Sequence, residues 1–128
     1  MRIGVEAARA FYAHPSQTRH SMVTPNELPD DGVEYWADGG VCLALHNAMW
    51  PGVWMAHVAA HPAAWGNTVA PCRSILSEFS AARSPELIIA WFSEANRAVA
   101  SLARRVGFVE YGRMTLPSGT VICAEWRQ

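Results

Sequence analysis

The stretch "HVAAHPAAWGNTVA", from His57 to Ala70, changes character midway. Its first residues continue an apolar run of strand length, Pro62 and Gly66 interrupt it, and from Gly66 onward the pattern is helical. A strand that passes through a glycine turn into a helix leaves unpaired backbone amides at the helix start, where the helix dipole is positive. An anion suits that position, and a glycine lets a phosphate approach the backbone closely. Gly66, Asn67, Thr68, Val69 and Ala70 are the residues whose amides the turn can offer; Pro71 has none, but it costs little inside a first helical turn.

Outward from this stretch the chain alternates short strands and helices. Val5, Ala8, Phe11 and Tyr12 recur at helical spacing, and His14-Pro15 ends that run. "TPNELPDDG" is polar and proline-broken, a loop or a short broken helix. "VEYWA" and "VCLALHNA" flank "DGG" as a hairpin, "WPG" makes the next turn, and "VWMAHVAA" is a third strand. Beyond Gly66 a helix with Ile75, Leu76 and Phe79 on one face runs to Ser84-Pro85, and "LIIAWF" suits a central strand covered on both faces. Asn96 opens a helix carrying Val99, Leu102, Ala103 and Val106 that Gly107 closes, and "FVEYGRMTL" and "TVICAEW" form a last hairpin about "PSG". No repeat or linker divides the chain, so residues 1–128 read as one α+β domain.

The bulk composition narrows the function classes. With 128 residues, 51% of them hydrophobic and 16% charged, the chain can bury a core without staples. A net charge of −1 gives no electrostatic footprint for nucleic acid or an anionic membrane, and no apolar window reaches the roughly 18 residues of a membrane span. Cys42, Cys72 and Cys123 are odd in number and form no CxxC pair, which points to a reducing, cytoplasmic setting and away from a disulfide framework or zinc ribbon. All ten basic residues are arginine, as genome base composition alone can produce.

Three features in this order carry a resemblance: strand, glycine turn and helix; an apolar strand followed by Asn96 opening a helix; and that helix closing in Gly107-Phe108. From about Gly32 to its end the chain resembles the GNAT family of acyl-CoA-dependent N-acetyltransferases. "AHPAAWGNTVA" lies on the family's "V-x-P-x-x-R-G-x-G-x-G/A", and "NRAVASLARRVGF" on its "N-x-x-A-x-x-L-Y-x-x-x-G-F". The resemblance implies a mixed, mostly antiparallel sheet flanked by helices and splayed between the fourth and fifth strands. It also implies acetyl-CoA as cosubstrate, with its pyrophosphate on the turn at Trp65, Gly66, Asn67, Thr68, Val69 and Ala70. The pantetheine would then run along Val58, Ala59 and Ala60, with Asn96 at hand as helix cap and ligand contact. The expected partners are an amine acceptor, small molecule or protein, and a second copy of the chain in a homodimer, with neither nucleic acid nor membrane.

The sequence also departs from that pattern. Trp65 stands where the family usually has arginine or glutamine, and a lost arginine removes a charge-assisted phosphate contact of roughly 1.5–3 kcal/mol. Trp65 itself reads as a stacking partner for the adenine or as loop and core packing. Thr68 replaces a glycine, and Ala103 stands where many relatives carry a proton-donating tyrosine. A fold retained for binding or assembly without catalysis, as in compact phage-type relatives, is the competing reading.

An acceptor ammonium must lose a proton before it attacks, so a base is needed. His57 and His46 are the candidate catalytic residues: with the hairpin centred on Pro51-Gly52, His46 faces His57 directly across the strands, to orient it or relay its proton through water, unless the two are simply polar side chains on a partly wet face. His57 and His61 form an HxxxH pattern, but on a strand four residues span about 13 Å, too far for one metal ion. No metal site is expected. Glu34, Glu110 and Tyr111 read as solvated, and Trp36, Trp50 and Trp54 as core or as walls of an acceptor cleft. The first helix, the loop from Thr24 to Pro29 with Glu27, Asp30 and Asp31 in or beside it, and the last hairpin would complete that cleft.

Overall fold

A computed structural model of the chain describes residues 1–13 and 28–126. The elements in chain order are β1 (Arg2–Ile3), α1 (Val5–Tyr12), β2 (Val33–Asp38), β3 (Val41–Ala48), β4 (Trp50–Ala60), a 3₁₀ turn (Pro62–Ala64), α2 (Val69–Arg83), β5 (Leu87–Ser93), α3 (Arg97–Val106), β6 (Val109–Leu116) and β7 (Gly119–Trp126). The strands form one sheet in the order β1-β2-β3-β4-β5-β7-β6. Only β4 and β5 run parallel; every other pair is antiparallel. A parallel pair cannot be closed by a hairpin, and α2 supplies the crossover it requires.

Helices cover both faces. Ile75, Leu76 and Phe79 of α2 pack with Val106 of α3 on Trp36, Val41, Leu43, Leu45 and Ile88. Trp36 and Trp54 meet the Phe79 ring edge-on, with centroids 5.8 and 5.0 Å away. These two tryptophans are therefore core, whereas Trp50 is exposed near the hairpin tip. On the opposite face Ala8 and Tyr12 of α1 pack with Tyr35, Cys42, Ala44, Ala59 and Leu28. With both faces covered, Val41–Leu45 are buried without alternation, as an interior strand should be. "LIIAWF" is interior in sheet order, but only Ile88 and Ile89 are buried, because β4 leaves its side beyond that point. No helix among the described residues is long and apolar enough to cross a membrane.

Two local readings are corrected. The chain reverses at Met49, whose φ of 63° lies in the left-handed region, and not at Pro51-Gly52, which belong to the start of β4. An irregularity between Asn47 and Ala48 then sets the register at His46↔Met55 and Ala44↔His57, so His46 and His57 are diagonal neighbours and not directly opposite. Glu34 is not a solvated residue either. Its carboxylate accepts from Arg83 Nε at 2.8 Å and from Trp36 Nε1 at 3.1 Å, tying β2 to the last turn of α2. The loop expected near Thr24 to Pro29 lies mostly outside the described residues, though Pro29 accepts the Tyr35 hydroxyl at 2.6 Å.

Two stability predictions follow from these contacts. Phe79 is fully buried between two tryptophans, so Phe79→Ala should cost about 3–5 kcal/mol in urea denaturation. Burial acts to raise the Glu34 pKa, but the hydrogen bonds from Arg83 and Trp36 and the charge of Arg2 outweigh it, leaving the pKa below the ordinary value. A depressed carboxyl stabilises the fold above its unfolded pKa and loses that contribution as pH falls through the folded one. Glu34→Gln should therefore lower the melting temperature at neutral pH and differ little from the parent in strong acid.

Candidate functional site

The parallel pairing of β4 and β5 covers three residue pairs, Val53↔Leu87, Trp54↔Ile88 and Met55↔Ile89, and then ends. Both strands continue, β4 to Ala60 and β5 to Ser93, so a gap opens between them. The backbone that faces it follows from the register. His61 N donates to Gly40 O at 2.8 Å, and the same register runs back along the β3–β4 ladder. Odd-numbered residues of β4 therefore exchange hydrogen bonds with β3, and the even-numbered Ala56, Val58 and Ala60 turn their amides and carbonyls toward the gap. Val58 and Ala60 thus lie on the gap side of β4. Ala59 does not, because its backbone serves β3 and its methyl is buried beneath α1.

Past Ala60 the chain makes its 3₁₀ turn and reaches Gly66, which has φ +91° and open space where a side chain would start. No hydrogen bond joins the amides of Gly66, Thr68, Val69 or Ala70 to a partner among the described residues. Asn67 departs from expectation, since its amide donates to Ala64 O at 2.9 Å. The turn is braced from below by Gly39-Gly40, the β2–β3 reversal. A Cβ on Gly39 would lie 2.8 Å from the Pro71 ring, and one on Gly40 2.9 Å from the Ala64 methyl, so only glycine allows this approach. Trp65 is about half exposed at 52%, which excludes the core-packing reading.

A cleft of about 460 Å³ adjoins the turn, lined by Gly39, Gly66, Asn67, Val69, Ala70 and Arg105. Arg105 was not among the sequence candidates. It comes from the last turn of α3, which α2 meets through a 2.7 Å hydrogen bond from Arg73 Nη2 to the Arg105 carbonyl. Neither arginine is ion-paired among the described residues, so cationic charge stands beside the exposed amides. Asn96 caps α3, its side chain accepting from Val99 N at 3.3 Å. Ala103 is buried, and no phenol stands in its place.

The second centre lies on the α1 face of β3 and β4. His46 Nε2 and His57 Nε2 are 3.0 Å apart, with the ring planes within 12° and the ring centres 5.1 Å apart, so the rings meet at their edges. His46 Nδ1 is 2.9 Å from the Asn47 carbonyl. The Tyr12 hydroxyl donates to the His57 carbonyl at 2.9 Å, pinning the strand beside the gap. Burial, then Cys42 and Tyr35, push the Tyr12 pKa well up, so the phenol stays a donor. Desolvation of its crowded ring first, and the neighbouring His46 second, hold the His57 pKa below the ordinary histidine value, although the residue keeps contact with solvent. At neutral pH His57 is an uncharged base. Burial raises the Cys42 and Cys72 thiols to about 12, so neither is a nucleophile. Tyr111 is not a spare phenol, for its oxygen accepts from Trp91 Nε1 at 2.7 Å. No cluster of three metal-ligating side chains occurs among the described residues.

The sequence matches no protein-family model and no curated relative. The fold does have counterparts among solved structures. Aminoglycoside acetyltransferase AAC(6')-Ib, in complex with coenzyme A and kanamycin, superposes with a TM-score of 0.75 at 12% identity, over 100% of this chain and 93% of that one. Spermidine N-acetyltransferase SpeG from Vibrio cholerae gives 0.69 at 11% identity, over 98% and 92%. A GNAT-family acetyltransferase from Bacillus anthracis gives 0.70 at 11%, over 94% and 87%. Along nearly its whole length, this chain has the fold of the GNAT acetyltransferases.

Proposed function

We propose that the protein is an N-acetyltransferase that moves an acetyl group from acetyl-CoA to an amine by direct attack. The observation that carries this reading is the gap between β4 and β5, which continues into the exposed amides at the start of α2. A fully apolar cleft would not suit acetyl-CoA, but here backbone groups face the gap and a cation and free amides stand at its end. The Ala56, Val58 and Ala60 edge is suited to the amide-bearing pantetheine arm, as a missing strand would be. Gly66, Thr68, Val69 and Ala70 offer amides to the pyrophosphate, and Arg105 supplies the charge that Trp65 does not. Trp65, about half exposed, is the stacking partner for the adenine in this reading, and Asn96, beside β5, retains its amide nitrogen for the ligand.

Bound acetyl-CoA supplies an acetyl thioester, which an uncharged amine converts to an amide with release of the CoA thiol. His57 removes the proton that the incoming ammonium must lose, and its low pKa keeps it unprotonated and ready at neutral pH. The acceptor in this reading is a small-molecule or protein amine; the same fold is found in an aminoglycoside acetyltransferase bound to kanamycin and in a spermidine N-acetyltransferase. Ala103 favours a second reading, in which the fold binds CoA without turnover, because no tyrosine stands at that position to protonate the departing thiolate. Ammonium-derived protons or water can serve that thiolate, so we favour catalysis.

Isothermal titration with acetyl-CoA is the first test. Saturable binding is expected, and Arg105→Glu should weaken it by about tenfold or more, the worth of one charge-assisted phosphate contact. A folded sample that gives no heat at millimolar acetyl-CoA overturns the proposal, and binding without acetyl transfer to any amine tried selects the second reading. For the catalytic step, kcat/KM should fall on the acid side as His57 gains its proton. His57→Ala should lower the rate by about 10²–10⁴-fold and remove that limb. An unchanged pH profile would take His57 out of the mechanism.

A further inference from the structure

The two histidines carry more information than their proximity. A backbone carbonyl can only accept, so His46 Nδ1, 2.9 Å from the Asn47 oxygen, must hold a hydrogen. In a neutral imidazole the other nitrogen is then a bare acceptor, so His46 Nε2 has no proton to give. The 3.0 Å contact between the two Nε2 atoms is consequently a hydrogen bond donated by His57 Nε2. That assignment leaves His57 Nδ1 with its lone pair exposed as the basic atom. We infer that His46, oriented by the Asn47 carbonyl, is a positioning residue that fixes His57 in its Nε2–H tautomer and shares the proton taken at Nδ1. The catalytic consequence rests on the acyl-transfer reading; the tautomers do not.

The proton balance closes within the pair. An ammonium acceptor gives one proton to His57 Nδ1 and becomes the free amine. His57 passes its Nε2 proton along the existing hydrogen bond to His46 Nε2 and is neutral again. The positive charge then rests on His46, whose Nδ1–H still points at the Asn47 oxygen, and the pair returns to its starting state when the shared proton moves back to His57 Nε2 and His57 Nδ1 releases its proton to water. A second proton is resisted, since the two Nε2 atoms would then both carry hydrogens at 3.0 Å. The ionisable groups packed nearest on this face, Tyr12 from α1, Tyr35 from β2 and Cys42 from β3, have pKa values raised by burial and stay neutral. Glu6 and Arg9 of α1 pair with each other, and Ile89 and Trp91 on β5 do not titrate. The head-on approach also argues against a shared metal ion, which would need both lone pairs to converge on a third point.

The tautomers are testable in the free protein, without acetyl-CoA or acceptor. Long-range proton–nitrogen NMR of nitrogen-15 labelled protein above the histidine pKa values should show His46 as the Nδ1–H form and His57 as the Nε2–H form. On acidification the pair should take up its two protons in well-separated steps. A neutral His57 in the Nδ1–H form, or both protons bound in one overlapping step, overturns the inference whether or not the protein proves to be an enzyme. His46→Phe should release His57 to a mixture of tautomers, raise its pKa toward the ordinary value and lower kcat about tenfold at unchanged KM. His46→Gln offers an amide oxygen to His57 Nε2–H but cannot take a proton, so it should restore the tautomer without restoring kcat. Full recovery of kcat in His46→Gln would overturn proton sharing.

Discussion

The parting of β4 and β5 after Met55 and Ile89 is the constraint on which the rest depends. Parallel strands in a covered sheet ordinarily stay paired, because each backbone group left behind must find another partner. Here a whole strand edge is withheld from its neighbour. The cost is tolerable only if water or a ligand meets those groups, and the long α2 crossover is what lets the strands diverge without breaking the core beneath them. Because α2 begins where β4 ends, the edge that β5 leaves behind and the amides at the start of α2 lie in one continuous path. The Gly39-Gly40 reversal keeps that path open by letting Pro71 and Ala64 approach more closely than any side chain would permit.

A site built this way needs few charges. Its groups are mostly backbone dipoles, fixed by the sheet and by α2, and fixed dipoles require no rearrangement when a charged ligand arrives. On the proposed reading, that accounts for a turn suited to a pyrophosphate in a chain whose net charge is only −1. Arg105 is the local exception. It reaches the turn from a different helix, so positive charge stands beside these amides although position 65 is tryptophan.

The fold was legible because its signals are local. The "DGG" reversal, the helix stop at Gly107 and the covered run "VCLAL" each declare their conformation in a few residues. The site was legible only in outline. Gly66 and the positions of Val58 and Ala60 could be read from the strand–turn–helix change, but Ala59 turned to β3, and Asn67 looked like a free donor because its bond to Ala64 depends on a 3₁₀ turn that Pro62 disguises. Arg105 was invisible, since the crossing of α3 over the start of α2 is tertiary. The meeting of His46 and His57 was foreseen through the wrong register. The displaced turn at Met49 shifted the pairing by an even number of places, which preserves the face of the sheet, so the two rings still met as diagonal neighbours. Glu34 misled because a charged residue on a strand reads as solvated until the helix carrying Arg83 is placed over it.

On the acyl-transfer proposal, the alanine at position 103 and the histidine pair bear on the same proton account from opposite ends. Acyl transfer to an ammonium must first remove a proton, and only later does the departing thiolate need one. A thiolate is a weak base beside an amine and leaves without full protonation, so removing the donor at position 103 touches the less demanding step. The demanding step falls to a base that must be uncharged before the ammonium arrives and must then hold the positive charge while the freed amine attacks. A single imidazole in a crowded site meets the first requirement at the expense of the second. Two imidazoles joined by one hydrogen bond, with the outer one seated against a carbonyl, meet both, because the charge can settle a ring's width farther from the reacting amine.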